Sequence, residues 1–190
     1  MEKNYFAEKK YIDIDFSQNT FIKADYEDCS FKRCIFSDTI LSETSFIDCT
    51  FDNCNLSLAI IKNTAFRNVQ FKDCKMLGMN FSECNTFGLE IHLDNCNLNQ
   101  SVFAKLNLKN TVFSNVSLHD VDFTESNLQF SVFNNCDFAR AVFDNTNLEK
   151  TDFRTSINYQ IHPEHNKINR ARFSEEGLRG LLAHYNILVD

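Results

Sequence analysis

The chain is 190 residues long, enough for one domain, and carries a formal net charge of −7 at pH 7, which disfavours nonspecific binding to nucleic acid or to an anionic membrane. Phenylalanine is the largest compositional signal, with 20 copies against four glycines, one proline and no tryptophan. The opening MEKNYFAEKKYIDIDF has no apolar run to act as a secretion signal, and no stretch approaches the ~20 apolar residues that span a bilayer, so a cytoplasmic location is expected.

Residues 1–15 read as a lead-in or first turn, with Phe6 and Tyr11 already in register with the repeat that is clear from Phe16. From Phe16 a large apolar residue recurs at every fifth position: Phe21, Tyr26, Phe31, Phe36, Leu41, Phe46, Phe51, Leu56, Ile61, Phe66, Phe71, Met76 and Phe81. Two places before most of these stands a small residue, for example Ala24, Cys29, Cys34, Thr39, Thr44, Cys49, Cys54, Thr64 and Cys74. A period of five is neither the 3.6 of a helix nor the 2 of a strand, so the chain is a repeat architecture. Along extended backbone the small and the large residue share a face while the residue between them points outward. Two more residues, mostly Asn, Asp, Ser or Lys, then turn a corner. Their identity predicts turns open to ordinary residues, with Asn and Asp side chains bonding the local backbone.

The register breaks once. Position 86 is Thr, and the next anchor is Leu93, 12 places after Phe81 and so two more than a multiple of five. The segment 82–92, with Gly88 inside it, is either a bulge absorbed by the stack or a short recognition loop. The period then holds from Leu98 through Phe103, Phe113, Phe123, Phe133 and Phe143 to Phe153, which sets a repeat body at 16–157. Residues 158–190 are irregular and contain the single proline, Pro163. Ser174 reads as an N-cap followed by Glu175 and Glu176, ahead of a helical stripe of Leu178, Leu181, Leu182 and Tyr185 and a last apolar run from Ile187 to Val189. This tail is expected to cover the open C-terminal end of the stack, because uncovered strand edges invite aggregation.

The fives CNLSL at 54–58, CDFAR at 136–140 and TNLEK at 146–150 resemble the pentapeptide-repeat family. That resemblance implies an all-β right-handed quadrilateral β-helix of 20 residues per coil, here about seven coils of four pentapeptides with a C-terminal capping α-helix. At ~4.8 Å per coil the rod is about 30–35 Å long. Cys34, Cys54 and Cys74, and Cys29 and Cys49, recur at that interval. More narrowly, the chain and its FSEEGLRGLLAHYNILV tail resemble the quinolone-resistance (Qnr-type) and microcin-immunity branch. Members are dimeric rods that bind DNA gyrase or topoisomerase IV in place of DNA and protect it from poisons. By that resemblance the tail, through Leu178, Leu181, Leu182, Tyr185 and Ile187, is also a candidate homodimer interface.

The eight cysteines all fall at the small inward position, which reads as packing, and their C-x4-C spacings follow from the repeat itself. Neighbouring coils bring them within disulfide range, but a reducing cytosol keeps them as thiols. His162 and His165 are the only close histidine pair, in a loop without an evident third ligand. No Ser-His-Asp grouping, phosphate-binding loop or HExxH is present, and a filled column has no cavity for a small substrate, so neither an enzyme, a metal site nor a cofactor is expected. Function is left to the skin. With anchors 20 apart sharing a side, Asp25, Glu27, Asp28 and Asp48, with Glu149, lie on one side. Glu43, Glu83, Asp122, Glu125 and Asp144 lie on the next, diluted by Lys23, Lys62 and Lys105. These acids are candidate partner-binding residues; a solvated skin and a scaffold for a different protein partner stand beside that reading. Duplex DNA carries about one charge per 1.7 Å, roughly 19 over such a rod, so mimicry with −7 needs the acids concentrated on one side of a dimer.

Overall fold

The structure is a computed structural model that describes residues 4–185 and 187. Its short strands are β1 (Asn4–Ala7), β2 (Lys10–Ile12), β3 (Ala24–Glu27), β4 (Ser30–Lys32), β5 (Ser45–Ile47), β6 (Thr50–Asp52), β7 (Ala65–Arg67), β8 (Val69–Lys72), β9 (Ile91–Asp94), β10 (Val112–Ser114) and β11 (Val132–Asn134). All pair in parallel with their own equivalents one coil away: Tyr26 with Phe46, Phe31 with Phe51, Phe113 with Phe133. Odd strands β1 to β7 form one sheet, and β2, β4, β6, β8, β9, β10 and β11 form the next. The other two sides join through single bridges at the same interval, such as Ile35–Asn55 and Ile40–Ile60. The product is a right-handed four-sided β-helix of about seven coils. Coil pairing also reaches β1 and β2 within residues 1–15, and Lys167 and Arg172 beyond 157, which bridge Asn147 and Asp152.

The interior is filled by stacked side chains. Phe81, Phe103, Phe123 and Phe143 form one ladder with ring centroids 4.6, 5.5 and 5.3 Å apart. Phe31, Phe51 and Phe71 form another at 4.7 and 5.0 Å. The rings stack in parallel because coil spacing places identical side chains about 4.8 Å apart. Each fully buried Phe contributes ~1.5–3 kcal/mol from apolar burial.

The small inward position has a second requirement that the period does not reveal. Where it is Cys, Ser or Thr, its S–H or O–H commonly donates to an anchor carbonyl of the coil below, as in Cys54 Sγ to Phe31 O at 3.3 Å, Thr64 Oγ1 to Leu41 O at 2.8 Å and Ser131 Oγ to Leu108 O at 2.7 Å. Ser126 and Thr44 hold this position without a partner in the structure. The Asn or Asp just before the anchor accepts the N–H two residues on, as Asn55 does from Ser57 and Asp122 from Thr124.

The corners differ from the expected turns. The second residue after nearly every anchor lies in the left-handed region, with φ between 51° and 63° from Asp28 to Arg140. Asn and Asp dominate there because they tolerate that conformation best. Gly78 and Gly88 occupy it too, and so do Leu58 (φ 59°) and Phe130 (φ 62°), which are strained there.

The break is a bulge that the stack absorbs. Ala65 bridges Asn85 at an interval of 20, whereas Val69 pairs with Ile91 at 22, so the two extra residues lie between 85 and 91. Gly88, at φ 69°, makes the turn, and Leu89 packs against the core where Thr86 supplies no anchor. Phe87 is left outside, 78% exposed.

At the C-terminal end a 3-10 turn over Glu176–Leu178 leads into the single helical turn α1 (Arg179–Leu182). Ser174 Oγ accepts the Gly177 N–H at 3.1 Å, the capping role its position implies. α1 docks through Gly180, whose carbonyl accepts the Ile161 N–H and whose missing Cβ lets the backbone lie on the Tyr159 carbonyl. Among the described residues no helix is long and apolar enough to cross a membrane.

All eight cysteines are buried and reduced in the structure. Burial pushes the Cys49 thiol up to about 12 and those of Cys84 and Cys136 up to about 11. Thiols whose folded values lie above the usual 9.0 stabilise the fold below that pH, and the contribution is lost as pH climbs. We expect the melting temperature to fall between about pH 9 and 12, and native protein to react slowly with a thiol reagent at pH 8 while denaturant releases all eight groups. Rapid native labelling would contradict the burial.

Candidate partner-binding surfaces

The side formed by β1, β3, β5 and β7 continues upward through Asn107, Asn127, Asn147 and Lys167. The structure brings Asp25, Glu27, Asp28 and Asp48 together on its first coils. Glu27 accepts the Tyr5 hydroxyl at 2.7 Å and Asp48 accepts the Asn68 amide at 2.6 Å. Glu149 sits several coils away on the same side and accepts from Gln129 at 2.9 Å.

Glu83, Asp122, Glu125 and Asp144 lie on the fourth side and its edge, and each has a local partner. Glu83 accepts from Asn80 at 3.0 Å, Asp122 caps its own turn, Glu125 lies 3.9 Å from Lys105, and Asp144 lies 3.9 Å from His165. Lys23 pairs with Glu43 on the same edge. Repetition at 20 therefore sets opposite charges above one another, as also in Arg33–Asp13 and Arg140–Asp120, both at 2.6 Å. Those guanidinium groups hold the Asp13 and Asp120 carboxyls below the usual carboxylate range. Exposed pairs of this kind are screened by solvent, so they shape the surface potential more than the stability.

Two surface features escape sequence reasoning. Arg67 lies over Phe87 at 5.6 Å, and Lys109 and Lys150 lie over Phe130 at 5.3 and 4.6 Å, so the upper coils of the first side turn cationic and aromatic. The tail also brings His184 to the stacked pair His162 and His165, with ring centroids 4.8 Å and 4.0 Å from His162. Even so, among the described residues no group of three or more His, Cys, Asp or Glu is placed to hold a metal.

Of the tail residues, Leu181 packs against the core, while Leu178 (46% exposed), Leu182, Tyr185 and Ile187 face outward. Leu188 and Val189 lie outside the described residues. Exposed Ile40, Leu58 and Ile60 form a further apolar area near the third and fourth sides.

These features define a repeat rod with a solid interior, whose chemistry lies on its sides and its ends. The family model of the pentapeptide repeat region matches residues 24–93, and that of pentapeptide repeats matches 91–129 and 122–157. The chain belongs to the pentapeptide-repeat family. Among solved structures, a trypsin-treated form of QnrB1, a plasmid-mediated fluoroquinolone resistance protein, aligns with a TM-score of 0.63 at 19% identity, covering 97% of this chain and 99% of that one. HetL, a pentapeptide repeat protein involved in heterocyst differentiation regulation from the cyanobacterium Nostoc sp., aligns with a TM-score of 0.52 at 12% identity, covering 91% and 86%. No curated protein sequence matches the chain.

Proposed function

We propose that this protein is a non-enzymatic, cytoplasmic protein-binding rod that docks on a type II topoisomerase, DNA gyrase or topoisomerase IV, as a partial DNA mimic and shields it from inhibitors. The observation that carries this reading is the acidic group on one side, Asp25, Glu27 and Asp28 on one coil with Asp48 on the next, ~4.8 Å along the stack. The fold likeness to QnrB1, a fluoroquinolone resistance protein, supports a protective role. Exposed Leu178, Leu182, Tyr185 and Ile187 offer an apolar surface for a homodimer, which would place one acidic group towards each outer end of the paired rods. Glu83, Asp122, Glu125 and Asp144 contribute from the adjacent side.

A second reading, a scaffold for a different protein partner, draws support from the upper coils, where Arg67, Lys109 and Lys150 interrupt any continuous negative track. A gyrase assay separates the two. With excess protein at low salt, supercoiling in the presence of a fluoroquinolone is expected to recover, and the double reversal Glu27→Lys with Asp28→Lys to abolish the recovery. No binding and no change in supercoiling overturns the topoisomerase reading.

A further inference from the structure

The apolar area between the third and fourth sides has a definite shape. Ile40 and Ile60 are bridged neighbours on the second and third coils of the fourth side, 68% and 48% exposed. Leu58 stands two residues before Ile60 with Ala59 turned inward between them, so it shares that outward face at the corner. It holds a left-handed conformation at φ 59°, where Asn, Asp or Gly is the usual occupant, yet its side chain stays exposed. The coil above makes room for it, because a Cβ on Gly78 would meet Leu58 Cδ2 at 2.7 Å. Leu58 is therefore a knob seated between the third and fourth coils. Strain kept at an exposed position points to use rather than to packing. On the same corner a cleft opens between the first and second coils, lined by Phe16, Phe21, Ser37, Asp38, Thr39 and Ile40. Its Phe16 and Phe21 are only partly buried against the core.

Knob and cleft are related by position. A two-fold axis along the strand direction of the fourth side, midway between Ile40 and Ile60, exchanges second coil with third and first with fourth. Ile40 of one copy then meets Ile60 of the other, and each Leu58 knob faces the other copy's cleft. The same operation sets Lys23 on the first coil against Glu83 on the fourth. Both lie on one edge, since Lys23 pairs with Glu43 one coil up and the Asn63 N–H donates to the Glu83 carbonyl. Ser42 and Lys62 make a polar rim. A second copy thus fills the cleft and pairs the edge charges at once, which an unrelated apolar surface has no reason to do. Lys23 and Lys62 nearly balance Asp38, Glu43 and Glu83 on this side, and the net −7 of each chain is screened beyond ~8 Å at physiological salt.

We infer that the fourth side of the first four coils is a homodimer interface, in which two antiparallel rods each insert Leu58 into the other's cleft. This goes beyond the topoisomerase reading and does not rest on it, because it covers Glu83 but leaves Asp25, Glu27, Asp28 and Asp48 uncovered. The tail surface lies at the opposite end, so a chain using both contacts would build open chains of rods. The test is therefore sedimentation velocity at physiological salt and rising concentration on protein with the tail blocked by Leu178→Lys and Leu182→Lys. A species of twice 22.1 kDa is expected. Leu58→Asn should weaken dimerisation roughly tenfold or more, while the melting temperature of dilute monomer holds or rises, because Asn tolerates the left-handed corner. Lys23→Glu and Glu83→Lys should each weaken the dimer, and the two together should restore it. Glu27→Lys with Asp28→Lys, which tests the topoisomerase reading, should leave it intact. Tail-blocked protein that stays monomeric, a dimer indifferent to Leu58→Asn, or charge reversals that fail to rescue one another would each overturn the proposal.

Discussion

Phe123→Ala is expected to cost about 3–5 kcal/mol, the largest single-residue loss on this chain, through lost transfer energy plus the cavity left behind. Phe123 is fully buried and stacked between Phe103 at 5.5 Å and Phe143 at 5.3 Å, with Phe113 and Phe133 edge-on at 6.4 and 6.3 Å. Coils touch only their neighbours, so other layers have no means of closing over a missing ring. On the same coil, Glu125→Ala removes an exposed side chain whose Lys105 partner is 3.9 Å away, and should cost under about 0.5 kcal/mol. Urea unfolding of the two variants beside the parent checks the difference. Equal shifts would mean that the assignment of inward and outward positions is wrong.

Gly180→Ala is the second large effect, and it is local. A Cβ at that position would press directly into the Tyr159 carbonyl oxygen, which is backbone and has no room to yield, and would separate the Gly180 carbonyl from the Ile161 N–H. Overpacking of this kind costs about 1–3 kcal/mol. Because the tail contacts only the last coils, we expect faster tryptic cleavage at Arg179 and loss of amide protection at Ile161, with the main unfolding transition nearly unmoved. Leu178→Ala, at a 46%-exposed position beside it, should leave both readouts unchanged. A Gly180→Ala protein with a protected tail would show that α1 does not dock through this glycine.

Almost all of the column is legible in the sequence because its physics is periodic. The recurrence of Phe, Leu, Ile and Met every fifth residue requires stacked coils, and the anchors from Tyr26 to Phe153 are buried with one exception, Thr86. That exception shows where periodicity stops being informative. Counting places two extra residues near Gly88, but only the pairing of Val69 with Ile91 shows that Leu89 takes up the core place and Phe87 is expelled. The corners escape the sequence for a related reason. Asn and Asp suit several turn types, and it is the direction the backbone must take into the next side that selects the left-handed one at Asp28, Asn53 or Asn115.

The surface is far less legible. Asp25, Glu27, Asp28 and Asp48 are acidic in any reading, but whether an acid is spent locally depends on what lies one coil away. Asp122 is used by the Thr124 N–H, and Glu125 stands near Lys105. Likewise Lys109, Phe130 and Lys150 are separated by about 20 residues and look unrelated until coiling sets them side by side.

The order of the amino acids thus settled that this protein is a stack of coils with a solid interior, because large apolar residues at every fifth place are buried together only by stacking, while the four sides of each coil came with the family resemblance. It also settled which side chains point outward. Folding into coils decided which outward side chains become neighbours, and with them the acidic lower coils, the cation–aromatic edge and the glycine-docked tail. Those groupings depend on contacts 20 or 22 residues apart, and a two-residue bulge that is a small perturbation along the chain shifts the register of every coil above it.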